Sequence, residues 1–177
     1  MSRATSYLYA VGIGSNRAGR MGRTPVAIVT AALDALDDAP LTLLNASAII
    51  ASAPLGPSRR RYANCVALVA SPLLPDELLE ELHAIEAQFG RKRARDWGER
   101  TLDLDLILWS EGSFAGGGAL VPHPEFRARA FVLAPLARIA PDWHDPVTGL
   151  SVRHLLARQS RAKPVARRKS LSGTWTE

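Results

Sequence analysis

Two aspartates, Asp103 and Asp105, stand one residue apart in the otherwise apolar segment TLDLDLILW. Alternate residues of a β-strand share a face and lie roughly 6.6 Å apart, so both carboxylates point to one side of the strand. Two like charges repel each other, and burying them is costly unless a cation compensates. Carboxylates at this separation suit Mg²⁺, which usually shares its coordination with phosphates. The alternative is an exposed strand edge that pairs with an arginine such as Arg100.

Residues 91–100, which lie shortly before these aspartates, are strongly basic. They contain Asp96 and Glu99 but five basic side chains, which are Arg91, Lys92, Arg93, Arg95 and Arg100. Arginine forks beside metal-binding carboxylates are what polyphosphate transfer requires, because they clamp the charge that the metal leaves uncovered. A nucleic-acid-binding loop would also be basic, but it would not need two carboxylates next to it. The combination therefore favours a magnesium–phosphate site over a strand-edge ion pair.

Other side chains could bind a flat ring or an anion. Asn64 offers amide donors and an acceptor, which suits the edge of a heterocycle. Tyr62 and Phe131 are most simply core aromatics, but aromatic rings can also stack on the faces of such a heterocycle. His123 lies between two prolines, where a histidine is most simply a surface residue unless an anion is nearby. The segment GIGSN is interpreted as a tight turn, because Arg17 replaces the third glycine of GxGxxG.

The elements that must position these residues alternate between strand and helix patterns. Strands are predicted over 7–13, 41–53, 64–70 and 101–109, and a turn is predicted over 111–118. Helices are predicted from Thr24–Pro25 to about residue 37 and from Pro75 to Gly90, with short helices after residue 130 and over 151–158. The order β-α-β-β-α-β predicts an α+β fold of the ferredoxin-like split βαβ type, a mainly antiparallel sheet flanked by helices in αβα layers.

Length, composition and charge narrow the class of protein. The 177 residues are 47% apolar, and we expect one domain over residues 1–158. A single cysteine excludes a disulfide framework, and no apolar run approaches the roughly 20 residues that a bilayer requires, so we expect a cytoplasmic protein. Residues 158–177 hold six basic side chains and one acidic, which accounts for the net charge of +5. We therefore predict a basic, disordered tail over 159–177, and a solvated tail is favoured over a weak contact with nucleic acid.

Four segments taken together resemble the 6-hydroxymethyl-7,8-dihydropterin pyrophosphokinases of folate biosynthesis: GSN, PLGP with YAN, GRKRARDWGERTLDLDLIL and VPHPEFRARAFVLAPL. The match runs in order from about Tyr7 to Arg158. It implies a ferredoxin-like domain that transfers the β,γ-diphosphate of ATP to the hydroxymethyl group of 6-hydroxymethyl-7,8-dihydropterin and releases AMP. It thereby implies ATP and the pterin as partners. We further expect a cytoplasmic monomer that has neither a membrane nor a nucleic acid as partner.

The resemblance also implies roles for individual residues. Asp103 and Asp105 would bind two Mg²⁺ ions together with ATP. Arg91 and Arg100 would be catalytic, on a mobile loop that closes over the triphosphate. The nucleotide would further contact Arg93, His123 and Arg129. The pterin pocket would be formed by Ser52, Ala53, Leu55, Tyr62, Asn64, Trp97 and Phe131.

The sequence departs from the family pattern at three places. Glu99 stands where proline or a small residue is common, Ser52–Ala53 replaces a threonine–proline pair, and His83 stands where a glutamine-like nucleotide contact is expected. The rival interpretation is a ferredoxin-like nucleic-acid-binding module. Such a module would carry aromatic residues on the sheet face and would need neither Asp103 nor Asp105.

Overall fold

A computed structural model describes residues 6–16, 23–52, 62–90 and 101–161 of the chain. The strands are β1 (Tyr7–Ser15), β2 (Thr42–Ala46), β3 (Ile50–Ser52), β4 (Tyr62–Ser71), β5 (Asp103–Trp109), β6 (Phe114–Gly116) and β7 (Ala119–Val121). The helices are α1 (Pro25–Ala35), α2 (Pro75–Gln88), α3 (Ala130–Ile139) and α4 (Val152–Arg161), and a 3₁₀ turn spans Phe126–Ala128.

Strand β1 lies in the middle of the main sheet. It pairs antiparallel with β4 on one side and with β5 on the other, while β2 and β3 pair with successive parts of β4. Helix α1 connects β1 to β2, and α2 connects β4 to β5. This is the ferredoxin-like split βαβ order, so the predicted fold class is confirmed.

Two predicted segments differ in detail. Residues 41–53 were predicted as one strand, but they form β2 and β3. The break lies at Ser47, whose hydroxyl accepts a hydrogen bond from Val66 N at 3.1 Å and so takes a backbone position in the ladder. Residues 111–118 were predicted as a turn, yet β6 begins there and pairs with β7 as a small hairpin. The division of the first segment arises from its pairing with the distant β4, which local composition does not report. Strands β6 and β7 instead pair locally across a two-glycine turn, which was not recognised as a hairpin.

Each face of the sheet has its own core. Tyr9, Val11 and Ile13 alternate along β1 onto the face covered by α1 and α2. Ala10 points to the opposite face, where α3 and α4 pack. Gly12 and Gly14 share the face of Ala10 because side chains alternate along a strand. The two cores confirm the predicted αβα layers.

A β-bulge interrupts β5 near its end. The register with β1 skips Ile107, which has no partner there. Strict alternation from Asp103 predicts that Ile107 and Trp109 share one face while Leu108 lines the other, and this prediction is wrong. Ile107 and Leu108 both pack beneath α3 and α4, whereas Trp109 packs on the opposite core. The bulge adds one residue to the strand and so reverses the alternation of the side chains that follow it.

Helix α1 begins with the predicted cap. Thr24 precedes Pro25 at the first helical position, and its hydroxyl accepts a hydrogen bond from Ala27 N at 3.2 Å. We expect Thr24→Ala to lower the free energy of unfolding by about 1 kcal/mol in urea titrations, because this amide loses its partner. Thr30→Ala is the matched control, since this exposed threonine lies in the helix interior, where alanine has the higher helix propensity. Equal losses in the two variants would contradict the capping role.

The last helix extends into the segment that was predicted as a tail. Helix α4 continues to Arg161, so residues 159–161 form its last turn. Residues 162–177, where the rest of the tail was predicted, lie outside the described residues. Within the described ranges, no helix combines the length and the apolar character needed to cross a membrane.

Candidate active site

Asp103 and Asp105 lie at the start of β5, opposite two glycines of the central strand. In the register of β1 and β5, Gly14 pairs with Asp103 and Gly12 pairs with Asp105. Residues directly opposite each other in an antiparallel pair project from the same face. Both carboxylates therefore lie on the face that α3 and α4 cover, and both are half-buried. They precede the bulge at Ile107, so the common face expected from their spacing is retained.

Two predicted nucleotide contacts meet at Asp105. Arg129, at the N-terminus of α3, donates from Nη1 to Asp105 Oδ2 at 3.1 Å. His123 Nε2 lies 3.9 Å from the other oxygen, Oδ1, which is beyond hydrogen-bond distance but close enough for an electrostatic contact. The three side chains are 20–31% exposed. Their charges are thus only partly screened by water, and a ligand can still reach them.

Two hydrogen bonds hold His123, one at its backbone and one at its ring. The backbone N–H of His123 donates to Ile107 O at 3.0 Å, so the bulge supplies an acceptor for this loop. Glu125 N donates to His123 Nδ1 at 3.1 Å. Nδ1 must therefore be an acceptor, and the neutral ring carries its hydrogen on Nε2, the atom that faces Asp105. Burial lowers the pKa of His123, Asp105 opposes this shift, and the positive charge of Arg129 adds to it.

We expect unliganded His123 to be half-protonated at a pH below about 6.5, the ordinary value for histidine. Below that ordinary value the unfolded chain binds the proton more readily than the folded protein does. This group therefore lowers stability as the pH falls towards the folded pKa. A ¹⁵N-NMR titration of the imidazole measures both the pKa and the tautomer. A midpoint at or above the ordinary value, or a hydrogen on Nδ1 in the neutral ring, would contradict this assignment.

Asn64 lies on the same row of the sheet as Asp103. It pairs with Gly14 across β4 and β1, and Gly14 pairs with Asp103 across β1 and β5. Adjacent strands are about 4.8 Å apart, so the backbones of Asn64 and Asp103 are roughly 10 Å apart. The Asn64 side chain is buried, and a Cβ atom added at Gly14 would lie 3.2 Å from its Oδ1. The missing side chain at Gly14 therefore leaves the room that the amide occupies.

Phe131 follows Arg129 by two residues and is half-buried against the core beneath α3 and α4. The Arg129 guanidinium carbon lies 5.9 Å from the centre of its ring.

The backbones of Ser52 and Tyr62 form a register pair between β3 and β4, two residues from the pair of Ile50 with Asn64. Six further residues predicted for the site lie outside the described residues; they are Ala53, Leu55, Arg91, Arg93, Trp97 and Arg100.

A cleft of about 250 Å³ runs along the outer edge of β5. Asp103, Asp105 and His123 line it, together with His83 from α2. The remaining lining residues are mostly apolar; they are Leu79, Leu104, Leu106, Gly118, Ala119, Leu120 and Pro124. The cleft thus combines an apolar wall with the two carboxylates and an imidazole.

Glu86 is a site-adjacent residue that the sequence interpretation missed. It is 1% exposed on α2, and its Oε1 accepts a hydrogen bond from Leu104 N at 2.7 Å. Leu104 stands between the two aspartates, so this bond ties the acidic part of β5 to α2. A signal was present in the sequence, because Glu86 follows Leu82 by four residues and so falls on the buried stripe of the helix. The cleft contacts at 118–120 were missed because residue 118 was assigned to a turn and residues 119 and 120 were assigned to no element.

The two aspartates fit a cation that arrives with phosphate. Among the described residues, no group of three or more histidine, cysteine, aspartate or glutamate side chains forms a metal site. Mg²⁺ seldom uses such an all-protein cage, because it keeps water ligands and binds through one or two carboxylates plus phosphate oxygens. Two half-buried carboxylates beside an open cleft match that requirement.

Residues 10–141 match the family model described as 7,8-dihydro-6-hydroxymethylpterin-pyrophosphokinase (HPPK). A Pseudomonas aeruginosa protein named 2-amino-4-hydroxy-6-hydroxymethyldihydropteridine pyrophosphokinase is 44% identical over 149 residues, which cover 83% of this chain and 88% of the relative. A Synechocystis protein of the same name is 48% identical over 106 residues, which cover 59% of this chain and 54% of the relative. None of these similarities supports the nucleic-acid-binding alternative.

The fold is similar to that of the Plasmodium falciparum HPPK-DHPS wild-type crystal structure with SDX-DHP. The TM-score is 0.69 at 11% sequence identity, and the match covers 87% of this chain and 44% of that one. Identity at this level shows the common fold alone. The chain thus spans about half the length of the Synechocystis relative and less than half of the Plasmodium chain.

Proposed function

Because the chain belongs to the 7,8-dihydro-6-hydroxymethylpterin-pyrophosphokinase family, we propose that it transfers the β,γ-diphosphate of ATP to 6-hydroxymethyl-7,8-dihydropterin in folate biosynthesis. The hydroxymethyl oxygen attacks the β-phosphorus and loses its proton. The bond from that phosphorus to the oxygen bridging it to the α-phosphorus breaks, and AMP leaves with this oxygen. The supporting observation is the row of Asn64, Gly14 and Asp103, where a heterocycle-binding amide and a phosphate-side carboxylate flank a residue without a side chain.

We place the nucleotide in the cleft along β5. Its apolar residues can receive a base, and β5 lies at the edge of the sheet order, so the cleft is not covered by a further strand of that sheet. His123 can donate from Nε2 to a phosphate oxygen while it is neutral. Arg129 is partly exposed beside Asp105 and can exchange that carboxylate for a phosphate oxygen. Arg93 would add a further contact from the preceding basic segment.

Asp103 and Asp105 would hold two Mg²⁺ ions together with ATP, and these ions would neutralise charge on the phosphate oxygens during transfer. The carboxylates supply the oxygen ligands, and their position across from Gly12 and Gly14 leaves no side chain above them from the central strand. Arg91 and Arg100 would clamp the remaining negative charge of the transferred group. Positioning and electrostatics, not covalent chemistry by the protein, would then produce the rate enhancement.

The pterin is placed beside Asn64. Its ring would be stacked between Tyr62 and Phe131, and the amide of Asn64 would read its polar edge. This placement is supported by the positions of Tyr62 and Asn64, which lie two residues apart on β4 and so on the same face of the strand. The pocket would be completed by Ser52, Ala53, Leu55 and Trp97. We further propose one catalytic domain over residues 1–158, acting as a cytoplasmic monomer, where the buried thiol of Cys65 would stay reduced.

The test of this function is a product assay with the purified full chain. ATP, MgCl₂ and 6-hydroxymethyl-7,8-dihydropterin are mixed with the protein, and products are separated by liquid chromatography. We expect AMP and the pterin diphosphate in equal amounts, and neither product when the pterin is omitted or EDTA is added. Formation of ADP in place of AMP, or no pterin-dependent AMP at all, would reject the proposed reaction.

A further inference from the structure

An ion pair whose carboxylate is fully buried lies behind the turn that carries two of the site residues. Arg127 donates from Nε to Asp145 Oδ2 at 2.7 Å and from Nη2 to Asp145 Oδ1 at 2.5 Å. The Asp145 side chain is 0% exposed. Val147 N and the Thr148 hydroxyl donate to the same two oxygens at 3.2 and 2.5 Å. The carboxylate is therefore fully hydrogen-bonded, and the planar fork of the guanidinium holds Arg127 in one orientation.

This ion pair attaches the middle residue of the 3₁₀ turn Phe126–Ala128 to Asp145, on the side away from the cleft. Phe126 N donates to His123 O, and Arg129 N donates to Phe126 O, both at 3.2 Å, so the turn links His123 directly to Arg129. The Arg127 guanidinium carbon lies 4.7 Å from the centre of the buried Phe126 ring. Gln159 of α4 also donates to Ala128 O, at 3.3 Å. Both ends of the turn thus carry residues of the candidate site, while its middle is fixed from the rear.

The arginines two residues apart serve opposite sides of the turn. Arg129 donates to Asp105 in the cleft, whereas Arg127 places two of its donor nitrogens on Asp145. Arg127 is therefore directed away from Asp105, and any effect of it on the reaction acts through the turn.

We propose that Asp145 is a positioning residue which, through Arg127, sets the placement of His123 and Arg129 relative to Asp105. This inference rests on the proposed function. A buried ion pair is weak grounds for stability by itself, because desolvation of the two charges offsets much of their attraction. Its directional consequence is larger, since the two hydrogen bonds of the bidentate fork fix the direction in which Arg127 leaves the turn. Burial alone would raise the pKa of Asp145, but the hydrogen bonds from Arg127 and Thr148 hold it below the usual value, so the pair is charged at neutral pH.

The test compares three variants of the full chain. Asp145→Asn keeps the shape but removes the charge, and Arg127→Lys keeps the charge but removes the fork. Thr148→Ala is the matched control, because it deletes one hydrogen bond to the same carboxylate and leaves the ion pair. Calorimetry measures binding of a non-hydrolysable ATP analogue with MgCl₂ and, separately, of the pterin. The ¹⁵N-NMR spectrum of His123 is recorded without ligand.

For Asp145→Asn we expect nucleotide binding to weaken about 10- to 100-fold, the effect of losing a charge-assisted hydrogen bond to phosphate, and the His123 resonances to shift. Pterin binding should stay within about twofold, because Asn64 lies on a different element. Thr148→Ala should lower Tm while nucleotide affinity and the His123 spectrum stay as in the wild type. If Asp145→Asn does not fold, Arg127→Lys decides, with nucleotide binding expected to weaken about tenfold.

Lower Tm with unchanged nucleotide affinity and an unchanged His123 spectrum would overturn the positioning role and leave a structural ion pair only. The failure of the proposed function would be recognised separately. If the wild-type protein forms no pterin-dependent AMP, the proposed reaction is rejected. If the wild-type protein forms AMP and the folded variants bind the nucleotide as tightly as the wild type does, only the role of Asp145 is rejected.

Discussion

Asp105→Asn and Asp103→Asn should each lower the rate of AMP formation about 10³-fold at saturating substrates. Each change keeps the size of the side chain but removes one of the two negative charges that face the cleft, and electrostatic stabilisation of this kind is the largest contribution to phosphoryl transfer. Initial rates of AMP release measure the loss, and circular dichroism checks that the variants remain folded.

The matched control is Asp142→Asn. This exposed aspartate forms an ion pair with Arg153 on the surface, away from β5, and its replacement should leave the rate within about twofold of wild type. Asp105→Asn should also raise KM for ATP more than Asp103→Asn does, because Arg129 loses its charged partner and its position at the cleft. A wild-type rate for Asp103→Asn would remove the metal–phosphate interpretation of this strand.

Gly14→Ala should weaken pterin binding about 10- to 100-fold while the protein remains folded. The added Cβ would lie 3.2 Å from Asn64 Oδ1, a contact tighter than side chains normally accept. Asn64 would have to move, and a pocket whose buried amide no longer meets the pterin edge would lose that recognition. Calorimetric titration with the pterin, in the presence of a non-hydrolysable ATP analogue, measures the change in Kd.

Gly12→Ala provides an unusually close control. Its added Cβ would also lie 3.2 Å from its nearest neighbour, but that neighbour is Ile107 Cδ1, the end of a flexible side chain. We expect pterin affinity within about twofold of wild type, because the contact is with Ile107 and Asn64 is not touched. Equal losses in the two variants would show that both act by distorting β1, and the role assigned to Asn64 would then lack support.

The sequence was sufficient for the features that depend on local patterns. Tyr9, Val11 and Ile13 alternate as a strand must, and Leu78, Leu82 and Ile85 recur as a helix must, so the element order and the layers follow. The common face of Asp103 and Asp105 follows from the same rule. These features need only the period of a strand or a helix, which neighbouring residues determine.

The features that depend on register could not be obtained this way. The bulge at Ile107 arises where β5 pairs with β1, and no residue of β5 signals it. His123 was most simply a surface residue until the fold placed it beside Asp105, 18 positions earlier in the chain. Likewise, nothing local distinguishes Arg127 from Arg129, because their opposite partners lie in separate elements. The roles given to residues 91–100 stay predictions from resemblance.

The bulge at Ile107 also divides β5 into two segments that can change independently. Before it, the strand presents the acidic pair; after it, Trp109 packs with Tyr7, Tyr9 and Phe114. The extra residue places the aromatic cluster and the carboxylates on opposite faces of the sheet. Substitutions in the aromatic cluster therefore need not rotate the carboxylates. Its carbonyl anchors His123 at the same point. One irregular residue would thus allow substitutions at the aromatic end of β5 without a change at its acidic end.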